Sequence, residues 1–83
     1  MAIDYNKQKN LTARKIISAL ISDGFELRSQ KGSHQKYRHS DKRRVTVSFH
    51  SPSDTFNTKT LKSMIEIQAC WTEEDIKRLG LIK

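Results

Sequence analysis

Apolar positions along the chain fall into two rhythms. In "NLTARKIISALISDGF" (residues 10–25), Ala13, Ile16, Ile17, Leu20 and Ile21 recur at helical spacing and form one stripe. Asn10 reads as the N-cap of this helix. Gly24 reads as the residue just past its end, where a left-handed backbone favours glycine. The rhythm then switches to alternation. "FELRSQ" sets Phe25 and Leu27 on one side and Glu26 and Arg28 on the other. "HQKYRH" is a weaker strand whose one clear core residue is Tyr37. "RVTVSFH" is the strongest: Val45, Val47 and Phe49 face one way, Arg44, Thr46, Ser48 and His50 the other. The short connections "KGS" and "SDKR" imply an antiparallel meander.

Helical spacing returns in "TKTLKSMIEIQACW", with Leu61, Met64, Ile65 and Ala69 on one face. "TEEDIKRLGLIK" opens like a capping box and predicts a short third helix that packs Ile76 and Leu79 on the body. The predicted class is α+β in the order α-β-β-β-α, with a three-stranded antiparallel sheet, both helices on one face and a short C-terminal helix. Residues 1–9 lack periodicity and read as a flexible lead-in, leaving 10–83 as a single domain. The expected core is small: Ile16, Ile17, Leu20, Ile21, Val45, Val47, Leu61 and Ile65.

Composition narrows the function. The chain has 83 residues, 35% of them hydrophobic, and a formal charge of +7. A thin core leaves little room for a deep pocket, so a site is expected on the surface. The charge favours a polyanionic partner. No stretch is apolar enough for a membrane span or a signal peptide. The single cysteine, Cys70, fits a reducing, cytoplasmic setting and reads as a packing residue. No His/Cys/carboxylate spacing typical of zinc is present, and no cofactor is implied.

Strand parity makes the charge specific. If Tyr37 points inward, Gln35 and His39 share its side, and His34, Lys36 and Arg38 point outward. Arg44, Thr46, Ser48 and His50 join them from the next strand. Arg28, Lys31, Lys36, Arg38, Lys42, Arg43 and Arg44 meet one acid, Asp41, in this part of the chain. Such a face can be a solvated charged surface or a track for a phosphate backbone, where each neutralised phosphate releases a counterion. The N–H groups of the Gly32-Ser33 turn offer further donors to a phosphate. His34 has two readings, a solubilising surface residue or a proton-transfer group, since imidazole titrates near pH ~6.5. RNA carries its own nucleophile, the 2′-OH. One proton-transfer group with Lys31, Lys36 and Arg38 beside it is a minimal metal-free ribonuclease. His39 reads as partly buried and hydrogen-bonded, and His50 as a second proton-transfer group or a loop anchor.

Taken in order, "DGF", "KGSH", "YRH", "RRVTVSFH" and "TLKSMI" resemble the HicA toxins of HicA–HicB toxin–antitoxin systems, over about Thr12 to Ala69. The resemblance implies a double-stranded-RNA-binding-like fold over a single HicA-like domain, 10–83. It implies an mRNA-cleaving endoribonuclease (an mRNA interferase) neutralised by a HicB-type antitoxin. It assigns catalysis to His34 and an auxiliary place to His50; RNA contact at Lys31, Gly32, Ser33, Lys36, Arg38 and Arg44 is the reading of the outward basic face and its turn. The alternative is a non-catalytic RNA-binding module of the same fold, or a subunit whose basic face docks an acidic protein. Two positions depart from the family pattern. Ser48 stands where a proline is common, and Cys70-Trp71 continue the chain where the helix usually runs into glycine.

Overall fold

The computed structural model describes residues 11–81. The expected lead-in, 1–9, and the expected cap, Asn10, lie outside them. The elements are α1 (Ala13–Ser22), β1 (Glu26–Lys31), β2 (His34–Arg38), β3 (Arg44–Ser48), α2 (Thr58–Lys62) running on as a π-helical segment (Ser63–Gln68), and α3 (Glu73–Arg78). The α-β-β-β-α order with a short C-terminal helix is the one the periodicity predicts.

Thr12, and not the expected Asn10, caps α1, its hydroxyl accepting from the Lys15 N–H at 3.3 Å. The first N–H groups of α1 are met from elsewhere. Ala13 N donates to the Asp54 carbonyl at 2.8 Å and Arg14 N to the Pro52 carbonyl at 3.0 Å. The loop after β3 therefore closes the start of α1, supplying partners that a helix N-terminus lacks within itself. At the other end, Gly24 has φ +103°. Phe25 N reaches the Leu20 carbonyl and Gly24 N the Ile21 carbonyl, a Schellman closure.

The sheet order is β1-β2-β3, antiparallel throughout. Its core face presents Tyr37, Val45 and Val47 to Ile16 and Leu20 of α1, Leu61 of α2, Met64 and Ile65 of the π-helical segment, and Ile76 of α3, all in one buried cluster. Both main helices thus cover the same face. Phe25 and Trp71 pack edge-on at 6.4 Å within it.

Two core expectations need correction. Ile17 is half-buried, and Ile21 is 60% exposed, because the sheet covers a narrower arc of α1 than its apolar stripe spans. Leu27 is 47% exposed, since β1 is an edge strand with little above it. Cys70 is not a packing residue. It is exposed beyond the helix, with φ +56°, and Trp71 is the residue that turns inward.

The π-helical stretch has a local cause. Gln68 Nε2 donates to Ser63 Oγ, five residues back, at 3.1 Å, and its Oε1 accepts the Thr46 N–H of β3 at 2.8 Å. One amide spans the widened turn and also satisfies an N–H on the sheet's outer edge.

Candidate active site

The β1–β2 turn is built on two residues, Gly32 and Ser33, with Lys31 and His34 paired across its base. Gly32 has φ +57° and Ser33 does not enter the left-handed region. Glycine at the first central position is the requirement of a type II′ hairpin. The turn is braced from the far side as well, by the Phe49 N–H donating to the Ser33 carbonyl at 3.0 Å. His34 thus begins β2 on rigid backbone.

Register then decides its neighbours. His34 lies between Lys31 on β1 and Ser48 on β3; the next outward row is Ser29, Lys36 and Thr46; the row beyond is Glu26, Arg38 and Arg44. Lys31 joins this face through a bulge. Between Leu27 and Ser29 the register shifts, and Arg28 is the extra residue. Unbroken alternation from Phe25 and Leu27 would turn Ser29 and Lys31 toward the core. A one-residue shift reverses that, and Lys31 emerges beside His34.

His34 is exposed, and its Nδ1 is 2.6 Å from Ser48 Oγ. Among the described residues its Nε2 has no hydrogen-bond partner. The cations around it are also uncommitted: Lys31, Lys36, Arg38 and Arg44 form no ion pair among the described residues. Arg28, Ser29, Lys36, Arg38, Arg44 and Thr46 line a shallow groove of about 360 Å³ across the open face. The acid on this face, Glu26, is an exposed partner of Arg28 at 3.7 Å, a contact that solvent screens.

The other histidines stand elsewhere. His39 is packed edge-on against Phe25 at 5.1 Å. Its Nε2–H donates to the Asp23 carbonyl at 2.8 Å and its Nδ1 accepts the Asp41 N–H at 3.0 Å. Both ring nitrogens are engaged, as a structural histidine requires. His50 follows the end of β3, two residues past Ser48. Its backbone N–H donates to Asp54 at 2.9 Å, and the residue lines a shallow groove with Gln30, Gly32, Ser33, Gln35 and Phe49. The hydrogen bonds from His50 and Ser51 hold the Asp54 carboxyl below its ordinary value.

Two residues that sequence reasoning did not single out organise the rear of the site. Asp23 is 11% exposed and receives Trp71 Nε1 at 2.8 Å, Arg43 at 3.2 Å and Arg78 at 2.9 Å. Arg43, counted among the surface cations, also reaches the Ala69 carbonyl at 2.6 Å and lies over the Phe25 ring at 5.0 Å. It belongs to the body of the protein and not to the open face. The one signal for Asp23 was its place just before the helix-ending glycine.

Among the described residues, no helix is long and apolar enough to cross a membrane, and no group of three or more His, Cys, Asp or Glu is placed to hold a metal. No curated protein matches the chain. A family model described as the HicA toxin of bacterial toxin–antitoxin systems matches residues 13–70, from the first residue of α1 to Cys70, just past the π-helical segment. That span takes in the whole sheet and the helices that cover it, and the chain belongs to the HicA toxin family.

Proposed function

We propose that this HicA-family toxin is a metal-independent endoribonuclease acting on mRNA in the cytoplasm, with His34 as its proton-transfer residue and a HicB-type antitoxin as its inhibitor. One observation carries the reading. His34 is held by Nδ1 at the rim of an open face with four uncommitted cations, leaving Nε2 available.

The chemistry follows from the substrate. The 2′-oxygen of RNA attacks the adjacent phosphorus, and the P–O bond to the 5′-oxygen breaks. The products are a 2′,3′-cyclic phosphate and a 5′-hydroxyl. One proton leaves the 2′-OH and one reaches the departing 5′-oxygen, and His34 serves one of these transfers through Nε2. Lys31 and Lys36, one row apart, face the charge that builds on the phosphoryl oxygens, where fixed cations stabilise the transition state more than the ground state. Arg38 and Arg44 continue the positive track away from the scissile bond and hold the flanking phosphates. The Gly32 and Ser33 N–H groups add neutral donors at the turn. A HicB-type antitoxin that covers the Lys31–His34–Ser48 row would block RNA and histidine together.

Inducible expression of the wild type against His34→Ala, scored by growth and by the ends of the cleaved RNA, tests this. The wild type is expected to arrest growth and leave cyclic-phosphate ends without added metal. His34→Ala is expected to lose about 10²- to 10⁴-fold in cleavage with an unchanged circular dichroism spectrum. Cleavage that survives His34→Ala, or that needs a divalent cation, sinks the proposal. Tight RNA binding with no cleavage at any protein concentration favours the non-catalytic module instead.

A further inference from the structure

We propose that Ser48 is the positioning residue for His34: its hydroxyl holds the ring by Nδ1 and so fixes Nε2 as the atom presented to the phosphodiester. The inference rests on the ribonuclease reading and deepens it by assigning the catalytic consequence of the Ser48 contact.

An exposed imidazole on a strand rotates freely on the picosecond-to-nanosecond scale unless something holds it. Proton transfer needs it held, because a donor or base misplaced by about 1 Å loses much of its effect. Of the two residues flanking His34 in its row, Lys31 offers only donors. Ser48 lies directly opposite on β3, and its Oγ reaches Nδ1 at 2.6 Å. The contact joins two strands of one ladder, so backbone pairing fixes both ends of it.

A hydroxyl is suited to this task in a way a carboxylate is not. It donates to Nδ1 when that nitrogen is unprotonated and accepts from Nδ1–H when it is protonated. The ring therefore keeps the same partner before and after it gains a proton. A hydroxyl also adds no negative charge to a face that must receive phosphate. Which ring nitrogen does chemistry is set by the bond the other one makes, and here that bond is to Ser48.

The test compares Ser48→Ala and Ser48→Thr with the wild type in steady-state RNA cleavage, and follows the His34 ring nitrogens by ¹⁵N–¹H correlation spectra. Ser48→Ala is expected to lower kcat about 10- to 100-fold with KM nearly unchanged, since RNA still meets the same cations. Ser48→Thr, which keeps the hydroxyl and suits a strand, is expected to restore most of kcat. The Nδ1 resonance of His34 is expected to move in Ser48→Ala and to return in Ser48→Thr. Wild-type kcat in Ser48→Ala overturns the inference, and so does a loss that Ser48→Thr fails to repair, which marks altered strand packing. If the wild type itself does not cleave RNA, the ribonuclease reading fails and this inference falls with it. An active wild type with an unimpaired Ser48→Ala overturns this inference alone.

Discussion

The indole N–H of Trp71 donates to the carboxylate of Asp23 at 2.8 Å, joining residues 48 positions apart. The same carboxylate takes Arg43 from the β2–β3 loop and Arg78 from α3, while the Asp23 carbonyl takes His39. One residue at the end of α1 thus ties together the far end of the hairpin and the C-terminal segment. The sheet's open face is presented on a frame that depends on this junction.

Acid should loosen that frame. Burial pushes the Asp23 carboxyl upward, but the hydrogen bonds from Trp71 and Arg78 and the charges of Arg43 and Arg78 outweigh it, and the net pKa lies below the ordinary value. Asp75 is also lowered, chiefly by the Thr72 N–H in the α3 capping box. A carboxyl depressed in the folded state contributes stability that is full above its unfolded value, near pH ~3.9. That contribution is lost as pH falls through the folded value. Urea midpoints are therefore expected to hold level from neutral pH to about 4 and to fall below it. Asp23→Asn is expected to destabilise at neutral pH by about 1–3 kcal/mol and to flatten the acid limb. An acid limb as steep in Asp23→Asn as in the wild type would assign the effect to other carboxyls.

Gly24→Ala should be among the more damaging small substitutions. At φ +103° any side chain is strained, and a Cβ there would stand 2.9 Å from His39 Nε2. Moving that ring breaks its bond to the Asp23 carbonyl. The expected loss is about 1–3 kcal/mol, measured by chemical unfolding. In a double-mutant cycle with His39→Ala, the steric part of the loss should disappear and the backbone part remain. Strict additivity would show that the ring is not what the methyl meets.

Cys70 is the opposite case. It holds a left-handed backbone, φ +56°, just past the π-helical segment, and its thiol makes only long contacts to the Ile67 and Gln68 carbonyls, at 3.5 and 3.9 Å. Glycine is the residue such a position favours. Cys70→Gly is expected to raise stability by about 0.5–1 kcal/mol despite the added freedom of the unfolded chain. A lower urea midpoint in Cys70→Gly would mean the thiol contacts outweigh the backbone strain.

These cases mark where the sequence was legible. Alternation in "RVTVSFH" placed Val45 and Val47 inside and Ser48 outside, because β3 is covered on one face only. The same rule worked for "HQKYRH", where Tyr37 is buried and donates to the half-buried Gln35 at 2.7 Å. In β1 it held for Glu26 and Leu27, but past Leu27 a bulge shifts the register, an insertion that no period announces. The α1 stripe was read too wide, since spacing shows which residues share a face but not how far the sheet reaches over it. Asp23 and Arg43 were invisible as partners: their bonds join the end of α1, a loop and α3, and only tertiary packing brings these together. The contact between Ser48 and His34 was half visible. Parity put both on one face, and the register of the ladder made them opposite. A proline, common in the family at that place, has no hydroxyl to make it.

The positive track makes a separate, quantitative claim. Lys36, Arg38 and Arg44 are exposed and unpaired among the described residues, so removing one should leave the fold intact. If each meets a phosphate, each displaces a counterion when RNA binds. For single-stranded RNA the slope of log Kobs against log salt falls by about 0.7 for each phosphate that is no longer neutralised. Lys36→Ala, measured by fluorescence anisotropy in a His34→Ala background so that the RNA stays whole, is expected to weaken binding at low salt and to flatten the slope by about that amount. Arg43→Ala should act differently. Its guanidinium is committed to Asp23, Asp41 and the Ala69 carbonyl, so its removal should lower stability and leave the slope alone. An unchanged slope in Lys36→Ala, or a flattened one in Arg43→Ala, would show that the RNA does not follow the outward rows of the sheet.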